Sequence, residues 1–267
     1  MAGPSPQNSL RRKLLRLIKF DGGVRVAAAL CLAAYALIAC GRVEKPAGPP
    51  SILLFNGTGT SPNDVSAIEE ILRSKRFAYS TADSAQLERM TSAELRAYRL
   101  LIVPGGNFEQ IGQGLTSAAT ANIRHAVEDG LNYLGICAGA FFAGDSPYNG
   151  LNLTSGTRFG FYGIERQGVR KAAVPIAPAG SPPLDQYWED GPQLSGWGAA
   201  VARYPDGTPA VVQGTFGDGW IILSGVHAEA PENWRKEMKF NTPVSVDNAY
   251  AASLIEAALN RIELPHY

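Results

Sequence analysis

Between Ser51 and Gly144 the chain alternates between short apolar runs and longer stretches in which apolar residues recur at helical spacing. Ile52-Leu53-Leu54-Phe55, Leu100-Leu101-Ile102-Val103 and the run Asn132 to Ile136 show no apolar/polar alternation. That is the pattern of strands covered on both faces. A further strand is predicted around Phe77 to Thr81. Ser61-Pro62 opens a helix through about Ser74, with Ser61 as cap and Pro62 at the first helical position. Thr91-Ser92-Ala93-Glu94 has the spacing of a capping box and starts a short helix, and Thr116 to Asp129 reads as the next helix, stopped by Gly130. Strand, helix and strand repeated at this spacing predict an α/β fold, a doubly wound and mostly parallel sheet with helices on both faces.

Beyond Gly144 the pattern becomes rich in loops and then in β structure, with runs at Ala172 to Pro175, Val201 to Tyr204, Ala210 to Thr215 and Trp220 to Ser224. The turn pairs Asp206-Gly207 and Asp218-Gly219 predict hairpins, and Val246 to Arg261 reads as an amphipathic closing helix. Parallel sheets gather their sites at the carboxyl ends of the strands. Three such ends are marked, at Asn56-Gly57-Thr58-Gly59, at Pro104-Gly105-Gly106 and at Cys137, so the topology collects them along one edge.

The residues before this body follow a different pattern. Arg11, Arg12, Lys13, Arg16, Lys19 and Arg25 form a cationic segment, and Val26 to Ala39 is apolar throughout. At about 14 residues this core is short of the ~20 needed to span a bilayer as a helix, and it fits the core of a signal peptide. Its end, Leu37-Ile38-Ala39-Cys40-Gly41, resembles a bacterial lipobox, which makes Cys40 the candidate lipidation residue. The long cationic region leaves an uncleaved anchor as the other reading. Residues 1–40 are thus a signal peptide or membrane anchor, 41–50 a Pro/Gly tether, and 51–267 the globular body. The protein is expected to be exported and held at the cell envelope, on the periplasmic or extracellular face.

Composition narrows the function. Lys+Arg and Asp+Glu are equal at 24 each, so no net field draws the chain to nucleic acid. Of three cysteines only Cys137 lies in the body, which excludes an internal disulfide there. With three histidines and that single thiol, no zinc-type spacing is present, and no metal or cofactor is expected.

Gly135-Ile136-Cys137-Ala138-Gly139-Ala140 has the form of a nucleophile elbow, a tight turn between strand and helix with small neighbours that permit the bend. The thiolate is the attacking species, and the start of a helix favours it. The bland reading of such a residue is a buried structural cysteine. A base and its orienter are offered by His227 and Glu229, which follow an apolar run and, two apart in extended chain, project to one side. His125 and His266 read as surface residues. Acyl transfer also needs donors for the developing oxyanion, and the backbone N–H groups of Ala138 and Gly106, with Gly105 beside it, are the candidates. Tyr187, Trp188, Asp190 and Trp197 either line a pocket or pack beneath a long loop.

Gly-Ile-Cys-Ala-Gly followed by His-x-Glu resembles the class I glutamine amidotransferase superfamily. More narrowly, Phe55 to Ser61, Val103 to Gly106, Tyr133 to Phe142 and Leu223 to Glu229 look like the amino-terminal domain of eukaryotic biotin-protein ligases. The resemblance implies a flavodoxin-like sheet and a Cys137–His227–Glu229 triad. It departs at Ala228, where the superfamily usually has proline, which predicts a less constrained Glu229. No Gly-Arg-Gly-Arg-type biotinyl-adenylate loop occurs, so biotin ligation is not expected. Three functions remain open: a cysteine-dependent hydrolase or transferase acting on a small amide or peptide, a non-catalytic module binding a ligand or protein, and a thiol or peroxide chemistry of the elbow cysteine.

Overall fold

The structure is a computed structural model that describes residues 50–267. The leader, Cys40 and the tether apart from Pro50 lie outside the described residues. In chain order the strands are β1 Ile52–Phe55, β2 Tyr79–Ala82, β3 Leu100–Val103, β4 Asn132–Ile136, β5 Gly160–Phe161, β6 Lys171–Pro178, β7 Leu184–Glu189, β8 Pro192–Gln193, β9 Ala199–Arg203, β10 Pro209–Phe216 and β11 Gly219–Ser224. The helices are α1 Pro62–Ser74, α2 Ser84–Glu88, α3 Ser92–Leu95, α4 Phe108–Gln113, α5 Ser117–Glu128, α6 Ala138–Ala143 and α7 Val244–Asn260.

One sheet carries nine strands in the order β2-β1-β3-β4-β11-β10-β9-β6-β7. Strands β2, β1, β3, β4 and β11 pair in parallel. From β11 outward every pairing is antiparallel. The hairpins expected at Asp206-Gly207 and Asp218-Gly219 therefore extend the parallel sheet instead of forming a layer of their own.

The unbroken apolar runs are explained by cover on both faces. Ile52, Leu54, Leu100, Ile102, Leu134, Ile136 and Ile222 join Ile68, Ile71 and Leu72 of α1 and Leu254, Ile255 and Leu259 of α7 in one core. Their neighbours Leu53, Phe55, Leu101, Val103, Tyr133, Ile221 and Leu223 join a second core with Ile123 and Val127 of α5 and Phe141 and Phe142 of α6. Alternate residues of a strand point to opposite faces, so strands between two helical layers are apolar at successive positions. Each large apolar side chain buried this way contributes about 1.5–3 kcal/mol.

Local signals set the helix ends. Ser61 accepts the N–H of Asp64 at 3.3 Å, Thr116 that of Ala119 at 3.2 Å, and Thr91 and Glu94 form a complete capping box. Gly130, at φ +113°, ends α5. The short α2 and α4, capped by Asp83 and Asn107, and strand β7 lie where the sequence showed only loop. Trp188, within β7, is fully buried and donates its indole N–H to the carbonyl of Gly191 at 3.2 Å, so it packs and lines no pocket. Trp197 packs against Gly214. Among the described residues no helix is long and apolar enough to cross a membrane.

The turn from β4 into α6 is the closest backbone approach that bears on the site. A Cβ at Gly139 would lie 2.0 Å from the carbonyl oxygen of Val103 in β3, and backbone cannot yield there. Gly139→Ala is expected to cost about 1–3 kcal/mol. Urea unfolding should show a lower midpoint at unchanged slope; an unshifted midpoint would mean the turn has room to relax.

Candidate functional site

Cys137 is the residue between β4 and α6, at φ 49° and ψ −104°. A non-glycine residue held at positive φ costs on the order of 1–3 kcal/mol and persists only when its surroundings over-determine it. Here the Cys137 N–H donates to the carbonyl of Ser224 at the end of β11 (2.7 Å), and the Gly139 N–H donates to Pro104 (3.1 Å). The phenol of Tyr133 donates to the carbonyl of Gly139 at 2.8 Å and ties the first turn of α6 back to β4. The bend is thus fixed by three neighbouring strands. Cys137 is 5 % exposed, and its thiol donates to the carbonyl of Glu189 at 3.5 Å.

His227 lies just past β11. Ser224 Oγ accepts the N–H of Val226 and donates to the Val226 carbonyl, turning the chain, and the His227 N–H then donates to the carbonyl of Tyr187 in β7 at 2.8 Å. The edge strand β7 thereby clamps the histidine to the sheet. The rings of Tyr187 and Trp234 stand edge-on to the imidazole at 5.8 and 6.0 Å. Nδ1 lies 2.9 Å from Glu229 Oε1 and 3.0 Å from Asp64 Oδ1. Cys137 and His227 line one cavity of about 510 Å³, together with Gly106, Ala138, Asp64, Glu189 and Asp190.

The candidate residues divide clearly. Cys137, His227 and Glu229 come together, and the N–H groups of Gly106 and Ala138 find no acceptor among the described residues while lining the same cavity. Gly105 serves space instead: a Cβ there would stand 2.2 Å from Asp64 Oδ1 and 2.6 Å from His227 Cε1. Its carbonyl accepts the N–H of Ser61. The looser Glu229 expected from Ala228 is not seen, because Glu229 is 3 % exposed and fixed by burial and its ring contact without a proline. His125 and His266 are exposed. Asp190 lines the cavity, and Tyr187 stands behind His227.

Asp64 was missed. An acid three residues after a capping serine is an ordinary helix-start residue, and nothing in the spacing from 64 to 227 announces the contact. With His227 and Glu229 it brings three ligand-type atoms within 4.8 Å of one another. Both carboxylates converge at hydrogen-bond length on one ring nitrogen, which is the arrangement of an ion pair with a proton between its members rather than an open coordination site.

The electrostatics follow from this packing. Burial alone would push the His227 imidazole pKa down, but the charge Cys137 would carry as a thiolate, together with the carboxylates of Glu229 and Asp64, outweighs it and holds the ring well above its ordinary 6.5. Burial works to raise Asp64, yet the charged ring keeps it below its ordinary 3.8. Glu229 is raised by burial, and the neighbouring Asp64 adds to the rise.

Residues 50–148 match the family described as biotin-protein ligase, N terminal. No curated protein matches the chain. Among solved structures, PurLQS from Thermotoga maritima aligns at TM-score 0.54 and 16% identity, over 81% of this chain and 100% of that one. The chain has a class I glutamine amidotransferase-like fold, and its residues 50–148 are similar to the amino-terminal domain of biotin-protein ligases. SMU.1228c aligns at TM-score 0.51 and 13% identity, over 78% and 99% of the two chains. An exo-beta-1,4-mannosidase from Opitutaceae bacterium strain TAV5 aligns at TM-score 0.50 and 14% identity, over 79% of this chain but 36% of its own. At such identities the likeness is one of fold.

In this amidotransferase-like body the imidazole holds its proton more tightly folded than unfolded. The stability this gives is complete below pH 6.5 and is lost as pH rises through the raised folded value. The unfolding free-energy difference between wild type and His227→Gln is therefore expected to be largest in mildly acidic solution and to shrink toward alkaline pH. Paired urea titrations across pH check this, and a difference that grows with pH would contradict it.

Proposed function

We propose that the protein is a cysteine-dependent amide hydrolase or transferase, exported and held at the cell envelope by its leader. The observation that carries the reading is the strained elbow at Cys137, facing one cavity with an imidazole whose far nitrogen is fixed by Glu229. Cys137 Sγ, its proton passed to His227, attacks the carbonyl carbon of an amide, and the N–H groups of Ala138 and Gly106 donate to the oxyanion. His227 gives its proton to the leaving amine, and water or a second amine then resolves the thioester with His227 as base.

The lining argues for a substrate larger than free glutamine. The cavity lies within the range of about 300–1,000 Å³ typical of sites for drug-sized ligands. Phe108 and Phe141 stack at 4.6 Å between ring centres, and Phe161, 36 % exposed, meets Phe141 edge-on at 5.0 Å. These rings line the cavity beside Cys137, so a peptide or an amide with an apolar substituent fits best. A second reading, a binding module that keeps the pocket without turnover, is favoured by the thiol's hydrogen bond to the Glu189 carbonyl.

A glutamine-mimicking electrophile separates the two. Wild type is expected to be labelled at Cys137, Cys137→Ser not at all, and His227→Ala about a hundredfold more slowly or worse. Labelling at the rate of a free thiol, indifferent to His227, removes the catalytic reading and leaves the binding one.

The envelope assignment rests on the cationic and apolar leader ending in Leu37-Ile38-Ala39-Cys40-Gly41. In a bacterial host, growth with a fatty-acid analogue should transfer label to the wild type and none to Cys40→Ser. Equal labelling of both, or secretion of an unlabelled and shortened protein, would end the lipoprotein reading.

A further inference from the structure

The triad leaves one buried charge unexplained. Asp64 is 6 % exposed, and its Oδ1, 3.0 Å from His227 Nδ1, has no aligned hydrogen-bond donor, since the ring N–H points to Glu229. A carboxylate buried without compensation costs several kcal/mol. Its usual work at this place in a helix is also already done by other groups. Asp64 is the third residue of α1, where an acid normally reaches back to the N–H of the capping residue. That N–H, of Ser61, is taken instead by the carbonyl of Gly105 at 2.9 Å, and the Asp64 side chain turns to the imidazole. The absence of a side chain at Gly105 keeps open the space that Asp64 and His227 share.

We propose that Asp64 is a positioning residue for His227, a second carboxylate that, with Glu229, holds the ring charged and fixed toward Cys137. This adds a member to the triad of the preceding reading and rests on that reading only for its catalytic consequence. Glu229 receives the ring proton in line and so selects the tautomer. Asp64 supplies charge from the side, and a small tilt of the ring redirects the Nδ1–H hydrogen bond to it with the proton staying on the ring, so the imidazole moves between thiol and leaving amine without losing an anionic partner. Of the two acids Asp64 is the one that stays ionised, because Glu229 is the one pushed toward protonation. The groups facing the ring are Cys137 after β4, Asp64 on α1, Glu229 after β11, and Tyr187 of β7, whose phenol donates to Glu189 at 2.5 Å.

The test follows the ring itself. With 15N-labelled histidine, only three residues report, and His125 and His266 are exposed and serve as references. In Asp64→Asn, which keeps shape and removes charge, the His227 nitrogens are expected to titrate at clearly lower pH than in wild type, while the two references stay put. Glu229→Gln should instead change which ring nitrogen carries the proton in the neutral form. An unmoved His227 titration in Asp64→Asn, with melting close to wild type, overturns the assignment and leaves Asp64 a helix-start residue. Should Asp64→Asn not fold, Asp64→Ser, a good residue for a first turn, is read in the same way. The Asp64 carboxyl carbon of the wild type adds a second measure: titration at or above its ordinary value also overturns the proposal. None of this needs turnover. A thiol inert to electrophiles beside a His227 that responds to Asp64 would end the acyl-transfer reading and sustain this one.

Discussion

The site hangs on one bend of backbone. At Cys137 a side chain is carried at φ 49°, a conformation that isolated chain avoids, and it is maintained because β3, β4 and β11 each hold part of the turn. Ser224 of β11 accepts the Cys137 N–H, Pro104 beyond β3 accepts the Gly139 N–H, and Tyr133 of β4 binds the Gly139 carbonyl. The parallel register that gathers these strand ends is also what sets the thiol above the sheet edge. Stability of the sheet and placement of the nucleophile are therefore one problem with one solution.

The antiparallel half of the sheet has a part in the site as well. Strand β7 lies at the far end of the sheet order, yet its Tyr187 carbonyl binds the His227 N–H and the Glu189 carbonyl receives the Cys137 thiol. The β6–β7 hairpin therefore reaches the segments that follow β4 and β11, and Glu189 at its end lines the cavity. An elbow on a parallel sheet alone would leave the imidazole open to water, where its charge is screened and its orientation loose.

Much of this was legible in the residues. The runs at 52–55, 100–103 and 132–136 announced strands buried on both faces, and the small residues around Cys137 announced the elbow. Asn-x-x-helix starts as short as α4 carry too few residues for periodicity to register. Strand β7 was hidden because Leu184-Asp185-Gln186-Tyr187-Trp188-Glu189 mixes polar and apolar positions on both faces, its buried Gln186 donating its amide N–H to Asp247 at 2.6 Å. Asp64 was illegible for a deeper reason. Its local signal, an acid in a first turn, is complete in itself, and the contact with His227 depends on the crossing of α1 over the strand ends, which no spacing encodes.

The arrangement at His227 shows how burial can be turned into control of charge. An imidazole taken out of water alone would lose its proton, and a carboxylate taken out of water alone would gain one. Brought together beneath Tyr187 and Trp234, Asp64, His227 and Glu229 divide the protons so that the ring is charged, Asp64 is ionised and Glu229 is the member nearest to taking up a proton. Two acids on one nitrogen are more than orientation requires, since Glu229 alone fixes the tautomer. The second acid offsets the desolvation of a ring that β7 and Trp234 shut away from solvent, and a histidine so enclosed stays charged only where such an anion is built in beside it.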